Sequence, residues 1–378
     1  MITKPTNARD GARTYGADVE ERAHAEFSSQ TSAHTHDTHM SVHSIRELAK
    51  ELVPYHVTSV ALPAAKHLKS LAFDDSNFAA FREAEAIPAI VNALRAGSAS
   101  PIAQAAADAL WSLSADWANR QILRSAGAIP LLAQLLASAD SCHTEPMTHS
   151  MVLTISNFGD LESGMPQEVS GELAASGGIE ALLRLLPNAE DGEPVLHASE
   201  TQQAAAEALA ALSVTPVVGE HIGGAPHGIL KLVGMMRAGG PPSALARNGA
   251  ATLARMARNQ PALQAAVREA GGVEALIALL VDSVAPYGAH KFGHTESEKR
   301  AAQHAAGALW VMAAEPESRE MINAHADARQ VLASLLNGRL GPKADGNAAG
   351  ALLMLGNIAK PKDPCSVVTA TMEDAVMV

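Results

Sequence analysis

The chain has 378 residues, of which 47% are hydrophobic but only 3% aromatic, and its net charge is −12. That apolar fraction is ample for a core built from Ala, Leu, Ile and Val. The acidic balance disfavours nucleic acid as a partner, because a backbone-binding surface needs clustered positive charge. No apolar run approaches the roughly 20 residues of a membrane span, and the first residues lack the apolar segment of a secretory signal.

The two cysteines, Cys142 and Cys365, form no disulfide framework and lie far apart in sequence. A reduced intracellular setting is the simplest interpretation. We therefore expect the cytoplasm, with the nucleus as a second location.

Residues 1–40 are polar, rich in Ser, Thr and His, and without periodicity, which predicts a disordered tail. Its histidines, His34, His36 and His39, together with His43, could bind a transition metal weakly. They have no cysteine partners, so the pattern of a structural zinc site is missing and we expect no metal. Residues 41–53 regain helical spacing and are expected to cap the domain that follows.

One phrase recurs along the rest of the chain. Its clearest copies are AGAIPLLAQLL at 126–136, SGGIEALLRLL at 176–186 and AGGVEALIALL at 270–280, with weaker copies at 84–94 and 225–236. Each copy is followed by an Ala-rich helical run, such as QQAAAEALAALS at 202–213, and one run without a phrase before it lies at 61–73. Repeats of this length cannot bury their apolar faces alone, so the copies are predicted to stack into a solenoid.

Corresponding positions of the phrase are 42 to 56 residues apart, and each unit has room for three helices. The Gly-Gly or Gly-Ala step suits a sharp corner before the second helix, because Gly tolerates unusual backbone angles. In this combination the chain resembles the armadillo-repeat family over roughly residues 55–360. HEAT repeats, the nearest alternative, lack the short first helix and the Gly corner.

The resemblance implies an all-α, right-handed superhelix of about six armadillo repeats plus a partial N-terminal repeat. The solenoid would span residues 41–360, with residues 361–378 as a flexible C-terminal extension. In such a superhelix the third helices line a concave groove.

Charge is distributed unevenly along the chain. Residues 139–220 are strongly acidic, whereas residues 221–300 have a basic excess. Because residues four apart share one helix face, polar side chains of both signs are expected in the groove. The first half would present Gln104, Asp108, Gln203 and Glu207, and the second half Arg247, Arg255, Arg300 and His304.

The resemblance adds two positions and one departure. Peptide-binding members carry an Asn near the end of the third helix, which here matches Asn157 and Asn357. Nuclear-import adaptors add a Trp one turn earlier, but no repeat of this chain has that pair. Trp111 and Trp310 are each one residue out of step and are expected to pack between repeats instead.

These observations predict a monomeric, non-catalytic protein-interaction scaffold or adaptor. It would bind a protein or peptide of mixed charge, with basic groups against Asp108 and Glu207 and acidic groups against the three arginines of the second half. The alternatives are an importin-like transport or targeting adaptor and, more distantly, an enzyme. We find no catalytic constellation and no cofactor motif in the sequence. Inserts at 137–147, 187–198 and 281–297 are a second candidate for the working surface.

Overall fold

The structure, a computed structural model, describes residues 41–53, 55–138, 145–159, 166–187, 198–237, 243–284, 295–336, 338 and 340–356. Over these ranges the chain forms twenty α-helices, two short 3-10 helices (Asp75–Asn77 and Leu94–Ala96) and no strand. The predicted all-α solenoid is confirmed. No described helix combines the length and apolarity needed to cross a bilayer.

Two helices form the opening, incomplete repeat. Helix α1 (Val42–Leu52) is capped by Ser41, whose side chain accepts from the Ser44 N–H, and it buries Ile45, Ala49 and Leu52. Helix α2 (Thr58–Ala72) packs against it. The expected cap is thus present, because α1 covers the apolar end of the stack.

Six complete three-helix repeats follow. Their first helices are α3 (Phe78–Glu83), α6 (Trp117–Ser125), α9 (Pro166–Ala175), α12 (Pro216–Gly224), α15 (Pro261–Glu269) and α18 (Pro316–Ala324). Their second helices are α4 (Ile87–Ala93), α7 (Ala128–Ala137), α10 (Gly178–Leu185), α13 (Gly228–Met236), α16 (Gly272–Val284) and α19 (Ala326–Leu335). Their third helices are α5 (Pro101–Leu113), α8 (Glu145–Asn157), α11 (Glu200–Leu212), α14 (Ala244–Met256), α17 (Glu296–Met312) and α20 (Pro342–Met354).

The corner between first and second helices has the predicted geometry. Gly127, Gly177 and Gly271 all adopt φ between 72° and 76°, the left-handed region that Gly enters without steric cost. In the two weaker copies of the phrase the same corner is made by Glu85 at φ 55° and His227 at φ 59°. The corner is therefore kept even where no glycine is available.

Four of the third helices begin at polar caps that the sequence supplies locally, namely Ser100, Ser199, Ser243 and Thr295. Ser199 with Gln202, and Thr295 with Glu298, form complete capping boxes at the starts of α11 and α17. Their interiors are rich in buried alanine, which lets neighbouring helices approach closely. The result is a row of third helices, α2, α5, α8, α11, α14, α17 and α20, in which each packs against the next.

Several predicted segments lie wholly or partly outside the described residues. These are the tail 1–40, the extension 361–378, Cys142, Cys365, and most of the three inserts. The insert predicted at 281–297 is shorter than expected, because α16 continues to Val284 and α17 already begins at Glu296. Apolar periodicity marks the centre of a helix better than its ends.

Candidate binding groove

The row of third helices is the surface on which every predicted groove residue lies, apart from Asn357, which is outside the described residues. Gln104 and Asp108 are on α5, Asn157 on α8, and Gln203 and Glu207 on α11. The basic set is divided between two helices, with Arg247 and Arg255 on α14 and Arg300 and His304 on α17.

In the first half of the row, Asp108 is the centre of a hydrogen-bond network. One carboxylate oxygen, Oδ2, lies 2.7 Å from Lys69 Nζ of α2. The other oxygen, Oδ1, accepts from Gln104 Nε2 at 2.9 Å and from the Ser150 hydroxyl of α8 at 2.6 Å. Only 8% of Asp108 is exposed. Its charge is thus compensated within the protein, and it joins three successive helices.

Asn157 also makes contacts between repeats. Its Nδ2 donates to the Ser114 hydroxyl at 2.9 Å, and its main-chain carbonyl accepts from the Arg120 guanidinium. At the equivalent position of the preceding repeat, the Ser112 hydroxyl donates to the Ala72 carbonyl at 2.5 Å. The asparagine position of this chain therefore links neighbouring third helices.

Gln203 and Glu207 lie one turn apart on α11, and both are half-buried. Gln203 Nε2 donates to the Ala198 carbonyl just before the helix, at 3.1 Å. Glu207 also takes part in a polar or electrostatic interaction within the protein. Of the two predicted acidic residues, Glu207 is the more exposed.

In the second half of the row, positive charge converges on His304. This histidine is 8% exposed, and burial lowers its pKa to about 3. Arg255, Arg247, Arg300 and Lys343 reinforce that shift, because each of these cations disfavours a second positive charge nearby. At physiological pH the imidazole is therefore neutral among four cations.

The arginines of this basic half are held in place by protein contacts. The Arg255 guanidinium donates to the Ala210 carbonyl at the end of α11. Arg300 Nε lies 3.3 Å from Glu296 Oε1, one turn earlier on α17, and only 15% of the Arg300 side chain is exposed. These contacts restrain the side chains of Arg255 and Arg300.

Three cations on or next to the third helices were not predicted from the sequence as groove residues: Lys69, Lys343 and Arg258. Lys69 was not assigned a role because its helix belongs to the incomplete repeat. Lys343, on α20, is exposed and its pKa is lowered by partial burial and by Arg300. Arg258, just after α14, is half-buried, its Nε has no hydrogen-bond partner among the described residues, and burial and Arg255 lower its pKa. Four-residue spacing from Arg255 could not identify Arg258, since it lies beyond the helix end.

The two tryptophans pack between repeats, as predicted. The Trp111 ring meets Phe73 of the preceding repeat edge to face, with centroids 5.9 Å apart. Trp310 is 7% exposed and contacts α20, where a Cβ on Gly350 would lie 2.5 Å from its ring. Neither tryptophan stands in the Trp–Asn pair that an import adaptor would need.

Comparison with solved structures identifies this architecture. An engineered protein aligns with TM-score 0.65 and 24% identity, covering 82% of this chain and 68% of its own. A designed armadillo repeat protein, solved in complex with a (KR)4 peptide, aligns with TM-score 0.53 and 20% identity over 70% of this chain and 98% of its own. The chain has the armadillo-repeat fold. No protein-family model and no curated protein matches it.

A third armadillo neighbour comes from a study of a phosphorylation switch that controls the interaction between cadherin and beta-catenin. It aligns with TM-score 0.63 and 17% identity over 83% of this chain and 56% of its own. At these identities the likeness concerns the fold, so the armadillo architecture is established while the ligand has to be argued from the side chains. Within the described residues no cluster of three or more potential metal ligands is found.

Proposed function

We propose that this chain is a non-catalytic interaction scaffold or adaptor that holds a segment of a partner protein in the groove along its third helices. Support comes from the row of seven third helices, each packed against the next, in which Asp108 and Glu207 precede the basic residues of α14 and α17. A row of this kind can contact an extended chain at regular intervals. Designed relatives of this fold bind peptides, which is consistent with the proposal.

The contacts refine where each part of the segment would lie. Asp108 is only 8% exposed whereas Glu207 is half-buried, so the basic part of the segment is expected to reach Glu207 more readily. Its acidic part is expected against Arg247, Arg255 and Arg300. Exposed pairs contribute only about 0.2–1 kcal/mol each, so several in register would set orientation and association rate more than affinity.

The alternative, an importin-like transport or targeting adaptor, remains a narrower form of the same proposal. The packing of Trp111 and Trp310 between repeats disfavours the groove chemistry of the usual import adaptors. A partner that carries a localisation signal would be the observation in its favour.

Charge reversal tests the proposal. Peptides that bind the full chain would first be selected from a random display library. Their affinity would then be compared between the unchanged chain and the triple variant Arg247→Glu/Arg255→Glu/Arg300→Glu. We expect selected sequences with acidic residues at one end and an affinity loss of about tenfold or more, larger at low salt because screening is weaker there.

A matched control changes the net charge equally but leaves the groove intact. Lys50, Arg95 and Arg329 are exposed and lie outside the third helices, on α1, the 3-10 helix Leu94–Ala96 and α19, so their reversal to Glu should leave the affinity within about twofold. Equal loss in both variants would indicate a general charge effect. A folded groove variant with full affinity would move the working surface to the inserts at 187–198 and 281–297.

A further inference from the structure

The last repeat exposes an apolar position that every earlier complete repeat buries. It lies at the end of the second helix, and its residue is at most 3% exposed in the first five repeats, where it is Leu94, Leu136, Leu186, Met236 and Leu280. In the sixth repeat the residue is Leu336, which is 44% exposed. Arg329 and Ala333, on the same face of α19, are exposed as well. No further repeat follows among the described residues, so this face of α19 is left uncovered there.

The third helix of the last repeat has lost its cover in the same way. The sequence AAGAL occurs at 305–309 and again at 348–352, so Leu353 corresponds to Trp310. Trp310 is only 7% exposed, because α20 packs on it so closely that a Cβ on Gly350 would lie 2.5 Å from its ring. Leu353 is 47% exposed. In the described part of the chain, α20 therefore has no neighbour of the kind that it provides for α17.

Together these positions form an apolar end face on two helices that pack against each other, α19 and α20. A stack of repeats needs a polar outer face or a cap at each end. At the N-terminal end α1 is that cap. At the other end, Leu336 and Leu353 leave apolar surface in water, and its burial would be favourable. A face made by two packed helices suits a third helix.

The segment that follows this face in the chain has a fitting sequence. Residues 363–378 lie outside the described residues and read DPCSVVTATMEDAVMV. An Asp-Pro pair is typical of a helix start. No further Pro or Gly follows, and Val368, Met372 and Ala375 recur at the spacing of one helix face. An isolated helix of this length is marginal in water, so it would depend on an apolar surface to pack on.

We propose that residues 364–378 form a helix that covers Leu336 and Leu353 and closes the C-terminal end of the solenoid. The proposal does not depend on the function of the groove. It gives a binding surface to most of the segment that the sequence predicts as a flexible extension.

The connection to α20 is long enough for this arrangement. Residues 357–363 join the described chain to the segment. Fully extended, they would span about 23 Å at roughly 3.3 Å per residue. Packed helices lie only about 8–10 Å apart. The segment can therefore reach the end face from either end of α20.

Charge favours this segment over a second copy of the chain. Arg329 is exposed on the same face of α19 as Leu336. The segment contains two acidic residues, Glu373 and Asp374, and no basic one. A helix from the segment would bring opposite charges together. Two-fold pairing of end faces would instead add the basic charges of two copies in one interface.

Hydrogen exchange, followed by mass spectrometry, tests the proposal on the full chain. Removal of residues 364–378 should speed exchange of the α19 and α20 amides by about tenfold or more, because the apolar cover is lost. Exchange in α2 and α5, at the other end of the stack, should stay the same. Met372→Asp, in the apolar stripe, should act like the removal. Its matched control is Ala370→Asp, on the opposite face of the predicted helix, which should change the rates by less than about twofold.

Circular dichroism confirms that each variant keeps the solenoid. Unchanged exchange in α19 and α20 after removal of the segment would overturn the proposal, and so would equal effects of Met372→Asp and Ala370→Asp. Sedimentation tests the other occupant of the face. A monomer that keeps slow exchange supports the proposal, whereas a dimer that dissociates in Leu353→Asp would show that a second copy covers the face instead.

Discussion

Lys69 and Asp108 join the incomplete opening repeat to the first complete one through a 2.7 Å ion pair. The acid is almost fully buried, and it also binds Gln104 and Ser150, so one carboxylate connects α2, α5 and α8. A group shared in this way contributes to the stacking of three helices at once.

Removal of this carboxylate should destabilise the N-terminal end of the stack. Asp108→Ala removes the acceptor shared by Lys69, Gln104 and Ser150, although the Ser150 hydroxyl can still donate to the Pro146 carbonyl, and we expect a loss of about 2–3 kcal/mol. Lys69→Met should cost about 1 kcal/mol or less, because Asp108 keeps two donors. Urea denaturation, monitored by circular dichroism, measures the stability loss of each variant. The exposed Lys50–Glu47 pair is the control, and Lys50→Met should change stability by less than about 0.5 kcal/mol.

The left-handed corners give a second prediction. Gly177→Ala puts a Cβ into open space but keeps φ at 72°, so its cost of about 1–2 kcal/mol would come from the backbone alone. His227→Gly, at φ 59°, removes the same strain and should be neutral or stabilising. In thermal unfolding we expect the melting temperature to fall for Gly177→Ala and to stay the same or rise for His227→Gly. A stabilising Gly177→Ala would show that the corner can relax to negative φ.

Two glycines of α20 provide a matched pair. A Cβ on Gly350 would lie 2.5 Å from the Trp310 ring, so Gly350→Ala forces the last two repeats apart and should cost about 1–3 kcal/mol. Gly346 has nothing within 4 Å, and Gly346→Ala should instead stabilise the helix by about 0.5–1 kcal/mol. Tryptophan fluorescence during urea unfolding reports on the contact itself. If both variants behave alike, the close approach of α17 and α20 is not present in solution.

The pH dependence of stability follows from His304. Its pKa falls from 6.5 to about 3 on folding, so the unfolded chain takes up a proton at a higher pH than the folded chain. The contribution of His304 to the free energy of unfolding is then fully present above about pH 6.5 and declines as the pH falls toward 3. Linkage gives a loss of about 2–3 kcal/mol at pH 4.5 from this group.

The matching variant isolates that contribution. His304→Gln should lower the difference in unfolding free energy between pH 7 and pH 4.5 by the same amount, while carboxylates elsewhere titrate equally in both proteins. An unchanged pH profile would mean that His304 is solvated or paired in solution.

Sequence patterns predicted the helices and their order because both depend on local periodicity. The glycine corners and the packing of Trp111 and Trp310 between repeats follow from the same spacing. What the sequence could not supply is the offset between neighbouring third helices. That offset decides that Asp108 meets Lys69 and Ser150, and it is set by packing between residues about forty positions apart.

The direction of each polar side chain was also beyond prediction. The sequence predicts Asn157 as a groove residue, yet its side-chain amide donates to the Ser114 hydroxyl of the preceding repeat. A face assignment from four-residue spacing gives the side of the helix, but not whether a long polar side chain turns toward solvent or toward its neighbour.

The regular row of third helices also sets a distance scale. Helices packed in this way are about 8–10 Å apart, and two steps separate α11, which carries Glu207, from α17, which carries His304. An extended chain advances about 3.3 Å per residue, so roughly five or six residues of a ligand would bridge the two points. In the function proposed above, the groove would therefore select partners by the interval between a basic and an acidic group, and duplication of one repeat would lengthen the accepted interval by about three residues.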